Sequence, residues 1–334
     1  MTAIAELIPA GANYLVTGGA GFIGSNLVAA LVDTGAIVRV LDDFSTGRQE
    51  NLDGLWDQIE MMEGSVTDPA TCAAACEGMD YVLHEAAIPS VLRSVADPAT
   101  SHATCATGTL NMLVAARDTG VKRFVYAASS SAYGDTPTLP KVEDMPAQPL
   151  SPYAVAKLTG EHYCQAFSVV YRFETVSLRY FNIFGLRQDP SSQYSAVIPL
   201  FITKAMAGVS PAIDGDGEQT RDFTHVENAV RANLLACTAP ADAVAGQIFN
   251  VGCGERISIN RLWDAIQEAT KAPVDAIHGP ARKGDVRDSL ASLERARERL
   301  GYEVTVPLDE GLRRTVDWLT VHGGCIVRPE RDSP

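Results

Sequence analysis

The sequence predicts an α/β fold, a doubly wound parallel sheet joined to a smaller, interleaved α/β lobe. Three observations lead to this prediction. Short apolar runs alternate with helix-like segments over about 180 residues, which is typical of a parallel sheet with helices on both faces. The first apolar run ends in a cluster of glycines, and the second ends in two aspartates. After Arg179 the alternation gives way to helical segments separated by loops rich in glycine and proline, which predicts a second lobe.

Each predicted element follows from its apolar spacing and its flanking turn residues. Strands are predicted at 13–17, 37–41, 79–84, 124–128 and 174–178, and helices at 24–34, 69–76, 107–119 and 152–171. The second region has predicted helices at about 197–207, 226–238 and 259–270. The run 247–251, QIFNV, is predicted to return to the main sheet as a strand. We therefore expect a first domain that covers 1–180 and takes back 225–257, and a second lobe that covers mainly 181–334.

Composition and charge narrow the classes of function. The 334 residues carry a net charge of −14, which argues against a nucleic-acid partner because phosphate backbones need a basic surface. No apolar run approaches about eighteen residues, so we expect no membrane span, and the first residues lack the basic and apolar regions of a signal peptide. The seven cysteines are scattered and the histidines have no metal-like spacing, which predicts reduced thiols in a cytoplasmic protein without a metal.

A glycine-rich turn joins the first predicted strand to the first predicted helix. Gly18, Gly21 and Gly24 permit a tight turn, a close approach of the backbone to a pyrophosphate, and close packing of the helix on the sheet. The N–H groups at the helix start, around Phe22 and Ile23, then face the phosphates. By itself a glycine trio also fits a flexible turn. Here it follows a strand and opens a helix, which is the context of a dinucleotide-binding (Rossmann) fingerprint.

An acidic pair at the end of the second predicted strand completes that fingerprint. Asp42 is placed to accept hydrogen bonds from the adenosine ribose, and together with Asp43 it would repel a phosphate on that ribose. The pair therefore favours NAD over NADP as the cofactor. The alternative is NADP, because Arg48 is close in sequence and its charge would suit a ribose phosphate.

Hydroxyl groups, a phenol and an ammonium are predicted at the same edge of the sheet. The strand at 124–128 leads into Ser129, Ser130 and Ser131, and reacting groups collect at the carboxyl ends of such strands. Tyr153 and Lys157 are one turn apart at the start of the next predicted helix, so they share a face. An ammonium beside a phenol lowers the pKa of the phenol, which would make Tyr153 a usable base. The alternatives are a polar turn and a solvated lysine beside a packed tyrosine.

The order of these motifs resembles that of the extended short-chain dehydrogenases/reductases, specifically the NAD-dependent nucleotide-sugar 4-epimerases. The resemblance covers roughly residues 13–315, and it implies an NAD-binding first domain and a second lobe that binds the nucleotide sugar. Several independent motifs in one order are far more specific than any one of them. The segments that carry the resemblance are TGGAGFIGS, DDFSTG, HEAAIPSVLRSVADP, AASSSAYG, SPYAVAK, RYFNIFGLRQDP, GDGEQTRDFTHVENAV and GDVRDS.

The resemblance implies a role for each matching residue. Ser129 holds the substrate hydroxyl, and Tyr153 is the base that removes its proton. Lys157 assists Tyr153 and holds the nicotinamide ribose, while Tyr180 lies near the nicotinamide. The implied cofactor-binding residues are Gly18, Gly21, Phe22, Ile23, Gly24, Asp42, Asp43, Ser45, Thr46, Gly47, Ser65, Val66, Ala86, Ala87, Tyr153, Lys157 and Tyr180. The implied substrate-binding residues are Ser90, Val91, Ser129, Ser130, Ser131, Asn182, Val197, Arg221, Arg282, Asp285 and Ser289.

The diphosphate of a nucleotide sugar needs cationic partners. The resemblance implies that Arg221 and Arg282 pair with the diphosphate, that Asn182 contacts it, and that Asp285 binds the uridine ribose. Two arginines suit a buried pyrophosphate because each guanidinium presents a planar fork of donors. The alternative for Arg221 is a surface ion pair with a neighbouring carboxylate.

The serines after the strand at 124–128 indicate which reaction the family member catalyses. Related dehydratases and decarboxylases carry carboxylates where Ser130 and Ser131 stand, because they need an acid or base beside the ketone. A serine cannot abstract a carbon-bound proton at a useful rate, so elimination is disfavoured. Reversible oxidation at carbon 4 is left: the ketone turns over and the hydride returns to the other face, with NAD bound throughout.

Substrate choice rests on three positions. Ser289 stands where relatives with narrower pockets carry a tyrosine, and a small residue leaves room for an N-acetyl group. Uronate-specific relatives carry threonine where Asn182 stands and arginine where Asp189 stands. We therefore expect UDP-glucose/UDP-galactose, UDP-GlcNAc/UDP-GalNAc, or both, as the UDP-sugar substrate. UDP-glucuronate is the alternative, since serine hydroxyls also donate to a carboxylate.

The rival from another class is a non-catalytic NAD-binding regulatory protein. The presence of Ser129, Tyr153 and Lys157 argues against this class, because a protein without turnover has no need for all three. Cys105 replaces a usual asparagine, Pro89 a glycine and Ser65 a frequent aspartate, and these departures affect fine contacts only. The resemblance also implies a homodimer formed through a helix bundle that includes 107–119 and 152–171.

Overall fold

A seven-stranded parallel sheet forms the centre of the protein. The computed structural model describes residues 8, 9, 11–190, 196–281 and 286–326. The strands of the sheet, in spatial order, are β11 (Gln247–Val251), β6 (Glu174–Tyr180), β5 (Arg123–Ser129), β4 (Tyr81–His84), β1 (Asn13–Thr17), β2 (Ile37–Asp42) and β3 (Ile59–Glu63). Three short pairs join β7 (Ile183–Phe184) to β10 (Thr224–His225), β8 (Ala212–Asp214) to β13 (Ile277–Gly279), and β9 (Thr220–Arg221) to β12 (Ile257–Ser258).

Helices connect the strands and cover the sheet. In the first part of the chain they are α1 (Phe22–Asp33), α2 (Pro69–Cys76), α3 (Val91–Ala96), α4 (Pro98–His102), α5 (Gly108–Asp118) and α6 (Pro152–Tyr171). Further along they are α7 (Val197–Met206), α8 (Val226–Thr238), α9 (Ala241–Val244), α10 (Ile259–Thr270), α11 (Glu294–Leu300) and α12 (Leu308–Ile326).

Both faces of the sheet are buried, and the strand residues show why. Side chains alternate along a strand, so Val16 of β1 packs with α1 and α8 on one face, while Leu15 packs with α5 and α6 on the other. Phe124 and Val125 of β5 divide in the same way. A parallel sheet that is covered on both faces is the doubly wound architecture, so the predicted fold class is confirmed.

Helix α6 is fixed at both ends by its own sequence. The Ser151 hydroxyl accepts a hydrogen bond from the N–H of Ala154 at 3.1 Å, and Pro152 occupies the first turn, where no N–H is needed. The helix ends where Arg172 adopts a left-handed conformation with φ 57°. The helix packs against β5, where the Tyr126 hydroxyl donates to the carbonyl oxygen of Lys157 in the second turn of α6 at 3.0 Å.

The second region joins the sheet where the sequence predicts it. Gln247–Val251 forms β11 and pairs in parallel with β6. Helices α7, α10 and α12 share a separate apolar cluster. Strand β3 is absent from the sequence-based prediction because its residues, IEMME, are half-buried at the edge and carry two charges. The exact domain bounds stay a prediction.

Two further findings concern the described residues alone. Within that part of the chain, no helix combines the length and the hydropathy needed to cross a bilayer. The six cysteines whose side chains the structure describes are all free thiols, and five of them are buried.

Candidate active site

A cavity of about 520 Å³ opens at the carboxyl ends of the central strands. It lies where the chain reverses its direction across the sheet, between β1 and β4, which is the usual ligand position in an open α/β sheet. Residues that follow β1, β2, β4, β5 and β6 all contribute to its wall. The chain therefore brings the glycine turn, the acidic pair and the hydroxyl groups to one place.

The glycine turn leaves no room for side chains. A Cβ on Gly18 would lie 2.8 Å from the backbone of Ala86, and a Cβ on Gly24 would lie 2.1 Å from the carbonyl oxygen of Gly18. Helix α1 starts at this turn and has no side-chain cap among the described residues. Its first N–H groups border the cavity, so the turn fits the pyrophosphate of a dinucleotide.

Asp42 fixes the loop that follows β2. Its carboxylate accepts hydrogen bonds from the N–H of Ala20 at 2.8 Å and of Phe44 at 2.9 Å. Burial raises the pKa of Asp42 above its ordinary value, and those two hydrogen bonds oppose the rise. Because each carboxylate oxygen can accept more than one hydrogen bond, Asp42 retains capacity for a ribose hydroxyl.

Two charged residues near Asp42, namely Asp43 and Arg48, already have partners within the protein. Burial raises the pKa of Asp43, but hydrogen bonds from Ser45 and Ser65 outweigh it and hold that pKa below its ordinary value. The guanidinium of Arg48 lies 3.3 Å from the carboxylate of Asp189. That ion pair bridges the loop after β2 and the segment after β7, both of which line the cavity.

Ser129 is oriented by its own turn. Its Oγ accepts hydrogen bonds from the N–H of Ser131 at 3.2 Å and from the Ser131 hydroxyl at 2.8 Å. Because Oγ already accepts these two hydrogen bonds, the Ser129 hydroxyl acts as a donor, and its hydrogen bond to Tyr153 lowers the pKa of that phenol. Ser129 at the end of β5 also stands opposite Tyr180 at the end of β6, so both reach the cavity.

Tyr153 and Lys157 lie on one face of α6, as predicted. Tyr153 lines the cavity, whereas Lys157 is only 3 % exposed and holds its Nζ 4.7 Å from the centre of the Tyr126 ring. Burial raises the pKa of Tyr153, as does the Cys105 thiol, while the Ser129 hydroxyl lowers it. Burial also lowers the pKa of Lys157. In the protein alone, burial therefore raises the pKa of Tyr153, and the lowering by Lys157 that the sequence predicts is not among the causes of its shift.

Glu85 is a site residue that the sequence reading missed. It follows β4, lines the cavity, and accepts a hydrogen bond from the Tyr180 hydroxyl at 2.7 Å. Arg93 and Thr104 also line the cavity and were missed. The available signal for Glu85 was its place directly after a buried strand, beside the predicted Ala86.

Most of the predicted cofactor-binding residues lie in the cavity wall. Gly47 instead packs against the Asp42 carboxylate, where a Cβ would come within 2.8 Å of Oδ1. Ser65 and Lys157 lie behind the wall. The predicted residues in the wall are Gly18, Gly21, Phe22, Ile23, Gly24, Asp42, Asp43, Ser45, Thr46, Val66, Ala86, Ala87, Tyr153 and Tyr180.

Fewer of the predicted substrate-binding residues reach this cavity. Ser90, Ser129 and Asn182 line it. Arg221 is half-buried and donates to the carbonyl oxygens of Thr220 at 2.9 Å and Arg287 at 3.2 Å. The other predicted residues outside the wall are Val91, Ser130, Ser131, Val197 and Ser289. Arg282 and Asp285 lie outside the described residues.

Comparison with known proteins gives consistent matches along the chain. The model of the NAD dependent epimerase/dehydratase family matches residues 14–252. A UDP-glucose 4-epimerase from Mycolicibacterium smegmatis is 39% identical over 308 residues, which cover 91% of this chain and 97% of that protein.

Solved structures agree in fold over nearly the whole chain. The UDP-glucose 4-epimerase of Thermotoga maritima, solved with UDP-glucose, has a TM-score of 0.88 and 37% identity, and the match covers 92% of this chain and 99% of that chain. The UDP-N-acetylglucosamine 4-epimerase of Methanobrevibacter ruminantium M1, solved with UDP-N-acetylmuramic acid, has a TM-score of 0.89 and 35% identity, with coverage of 93% and 99%.

Proposed function

Because the chain belongs to the NAD dependent epimerase/dehydratase family, we propose that it is an NAD-dependent UDP-sugar epimerase that inverts carbon 4 of a UDP-hexose. The observation that carries this proposal is the meeting of Ser129, Tyr153 and the glycine turn in one cavity. Relatives that act on UDP-glucose and on UDP-N-acetylglucosamine match this chain over more than nine-tenths of its length.

The residues of the chain divide the chemistry between them. The glycine turn and Asp42 would hold the NAD, which would supply reversible hydride transfer at carbon 4 of the sugar. The Ser129 hydroxyl, which hydrogen-bonds Tyr153 in the protein alone, would donate its proton to the oxygen on carbon 4. Tyr153 removes the proton from that oxygen and later gives it back. Lys157 is buried one turn further along α6. Its proposed role is to hold the nicotinamide ribose and, together with the positive nicotinamide ring, to lower the pKa of the phenol once the cofactor is bound.

The turn after β5 supports epimerisation over elimination. Ser131 donates its hydroxyl proton to Ser129, so its role is to orient that residue. Ser130 lies outside the cavity wall. Neither serine is a base for a carbon-bound proton. The proposed course is therefore oxidation to a 4-keto intermediate, rotation of that intermediate, and its reduction from the other face.

UDP-glucuronate is a second candidate substrate, favoured by two observations. Arg93 lines the same cavity as Ser90 and Ser129 and brings a cation to its wall. Asp189, whose charge would repel a uronate, is paired with Arg48 at 3.3 Å. A carboxylate on the sugar would meet less repulsion than the sequence alone predicts.

A panel of three substrates tests the proposed function. Purified protein is incubated with UDP-glucose, UDP-GlcNAc or UDP-glucuronate, and each 4-epimer is measured. We expect at least one 4-epimer to form with no net consumption of NAD. The absence of all three epimers, together with no reduced-nicotinamide absorbance after UDP-sugar is added, would contradict the proposal.

We also propose a homodimer that forms through α5 and α6. Val114 on α5 and Val155 on α6 are exposed at 37% and 49%, and Val169 near the end of α6 is exposed at 73%. Exposed apolar side chains on two neighbouring helices favour burial against a second copy. Sedimentation of the double variant Val114→Asp/Val155→Asp tests it. An unchanged sedimentation coefficient would remove these helices from the interface.

A further inference from the structure

Glu85 places a carboxylate in the cofactor cavity that the proposed chemistry does not use. Its N–H donates to the carbonyl oxygen of Thr17 at 3.1 Å, which fixes the backbone where the strand order reverses. The residue is half-buried, and it shares the cavity wall with Tyr153 and Tyr180. An ionised carboxylate that is partly removed from water costs free energy unless hydrogen bonds or a nearby positive charge compensate for the lost hydration.

A directed chain of hydrogen bonds holds this carboxylate. The side-chain amide of Asn233 donates to the carbonyl oxygen of Ala229 at 2.9 Å, which fixes the orientation of the amide. The same amide nitrogen donates to the Tyr180 hydroxyl at 2.7 Å. The Tyr180 proton is thereby directed to Oε1 of Glu85 at 2.7 Å.

The hydrogen-bond chain reaches one carboxylate oxygen of Glu85, Oε1, and the residue itself lines the cavity. Among the described residues, the Tyr180 hydroxyl is the hydrogen-bond donor to Glu85. Burial raises the pKa of Glu85 to about 7, against the hydrogen bond from Tyr180 and the charge of Lys157, which lower it. Glu85 in turn raises the pKa of Tyr153. The charge of Glu85 is therefore felt by the groups around the reacting end of the cavity.

We propose that Glu85 is a positioning residue that sets the balance between oxidised and reduced NAD in this site. This inference rests on the NAD-dependent function proposed above. The nicotinamide ring is positively charged when oxidised and neutral when reduced, so a fixed carboxylate favours the oxidised form. The size of this preference depends on the hydrogen bonds from Asn233 through Tyr180, because they hold the carboxylate in one position.

Glu85 changes the number of protons that the site takes up when bound NAD is reduced. Reduction of the bound ring takes two electrons and one proton. Loss of the positive charge raises the pKa of Glu85, so within a window around neutral pH the carboxylate takes up a second proton from solvent. Oxidation releases both protons. Among the described residues, the groups that interact electrostatically with Glu85 are Tyr153 and Lys157 on α6 and Tyr180 on β6. Arg93 lines the same cavity, and none of these residues is changed when Glu85 alone is substituted.

A redox titration of the holoprotein tests this proposal without any sugar. The midpoint potential of bound NAD is measured with redox dyes between pH 6 and 9, from the absorbance of reduced nicotinamide. We expect the wild-type potential to fall near neutral pH by more than the ~30 mV per pH unit of a two-electron, one-proton couple. In Glu85→Gln we expect ~30 mV per pH unit throughout. At pH 8 the variant should hold about tenfold more reduced cofactor, a shift of about 30 mV.

Two matched variants separate charge from structure. Glu85→Asp keeps the charge, so the steeper slope should persist. Glu268→Gln removes an exposed carboxylate on α10 that is not part of the cavity wall, so the potential should not move. A wild-type slope of ~30 mV per pH unit over the whole range would overturn the proposal even if Glu85→Gln failed to fold. So would equal potentials for wild type and Glu85→Gln at pH 8. Failure of the sugar panel would count against the epimerase function and would leave this measurement standing.

Discussion

Arg179 and Glu161 form a buried ion pair with two hydrogen bonds, from Nε at 2.8 Å and from Nη2 at 2.6 Å. Their side chains are 3% and 1% exposed. Glu161 lies on α6 one turn after Lys157, and Arg179 immediately precedes Tyr180 on β6. The pair therefore fastens the helix that carries Tyr153 to the strand that carries Tyr180.

Removing one partner of this pair should be costly. In Glu161→Gln the buried guanidinium of Arg179 loses its counter-charge, and we expect a loss of about 3–5 kcal/mol in the free energy of unfolding. Urea denaturation at fixed NAD concentration measures it. Glu310→Gln breaks surface ion pairs with Arg313 and Arg314 and serves as the control, with little expected loss. Equal losses in the two variants would show that the buried pair does not hold α6 to β6.

Tyr153→Phe should abolish turnover and leave the cofactor bound. Loss of a general base lowers the rate by about 10²–10⁴. Because burial raises the pKa of Tyr153, its ionised form is scarce at neutral pH, so the wild-type rate should rise with pH. Epimer formation between pH 6 and 9 checks both points. Tyr171→Phe, at the exposed end of the same helix, is the control. Full activity in Tyr153→Phe would show that another group is the base.

Gly24→Ala should disrupt the glycine turn. The added methyl would lie 2.1 Å from the carbonyl oxygen of Gly18, so the backbone must move, at an expected cost of about 1–3 kcal/mol and with loss of NAD binding. Thermal unfolding and cofactor content measure the two effects. At Gly279 the nearest atom is 3.9 Å away, so Gly279→Ala should behave as wild type. NAD binding by Gly24→Ala at wild-type strength would refute the tight-turn argument.

His84 should make the protein less stable in mild acid. Ala86 donates to Thr17, whose hydroxyl is 2.7 Å from Nδ1 of His84. On the other side, Nε2 lies 3.1 Å from the Thr109 hydroxyl, which itself donates to the carbonyl oxygen of Cys105. These partners fit a neutral ring that donates from Nε2. Burial first, and then the charge of Lys157, lower the pKa of His84 to about 3.

The sign of the effect follows from that shift. The folded-state pKa is below the unfolded value, so the stabilisation is complete above about pH 6.5 and is lost as the pH falls towards 3. At pH 5 the loss should be about 2 kcal/mol relative to pH 7. Urea denaturation at both pH values measures it. His84→Gln should remove that difference, and His162→Gln, which changes an exposed ring, should keep it. The same pH dependence in wild type and His84→Gln would contradict the assignment.

Ser289→Tyr should discriminate between hexoses. Ser289 is half-buried, and its N–H donates to the carbonyl oxygen of Thr220, next to Arg221. A bulky ring there should lower kcat/KM for UDP-GlcNAc about 10–200-fold more than for UDP-glucose. Parallel assays of both sugars measure the ratio, and Ser289→Ala is the control that should leave it unchanged. Equal losses for the two sugars would remove the argument that a small residue admits the N-acetyl group.

The helices and strands that carry local signals could be predicted from the sequence. Helix α6 has a serine cap, a proline in its first turn and apolar residues at helical spacing, so its predicted bounds match. Strand β3 was missed because Ile59–Glu63 lies at the sheet edge, where burial is partial and the apolar pattern is weak.

Site contacts that depend on distant partners could not be predicted. Tyr180 reaches Glu85 across 95 positions in the sequence, and no local pattern links them. The pKa of Tyr153 likewise depends on how deeply it is buried, which spacing along a helix does not reveal. The glycine turn was predictable because its steric requirement is local.

The late position of β11 has a consequence for synthesis on the ribosome. Strand β6 ends at Tyr180, and the strand that pairs with its outer edge begins only at Gln247. At translation rates of about 5–20 residues per second, β6 presents an open row of N–H and C=O groups for several seconds before its neighbour emerges. A nascent chain halted in that interval carries an unpaired, apolar strand edge, the kind of surface that chaperones bind and that aggregates propagate from.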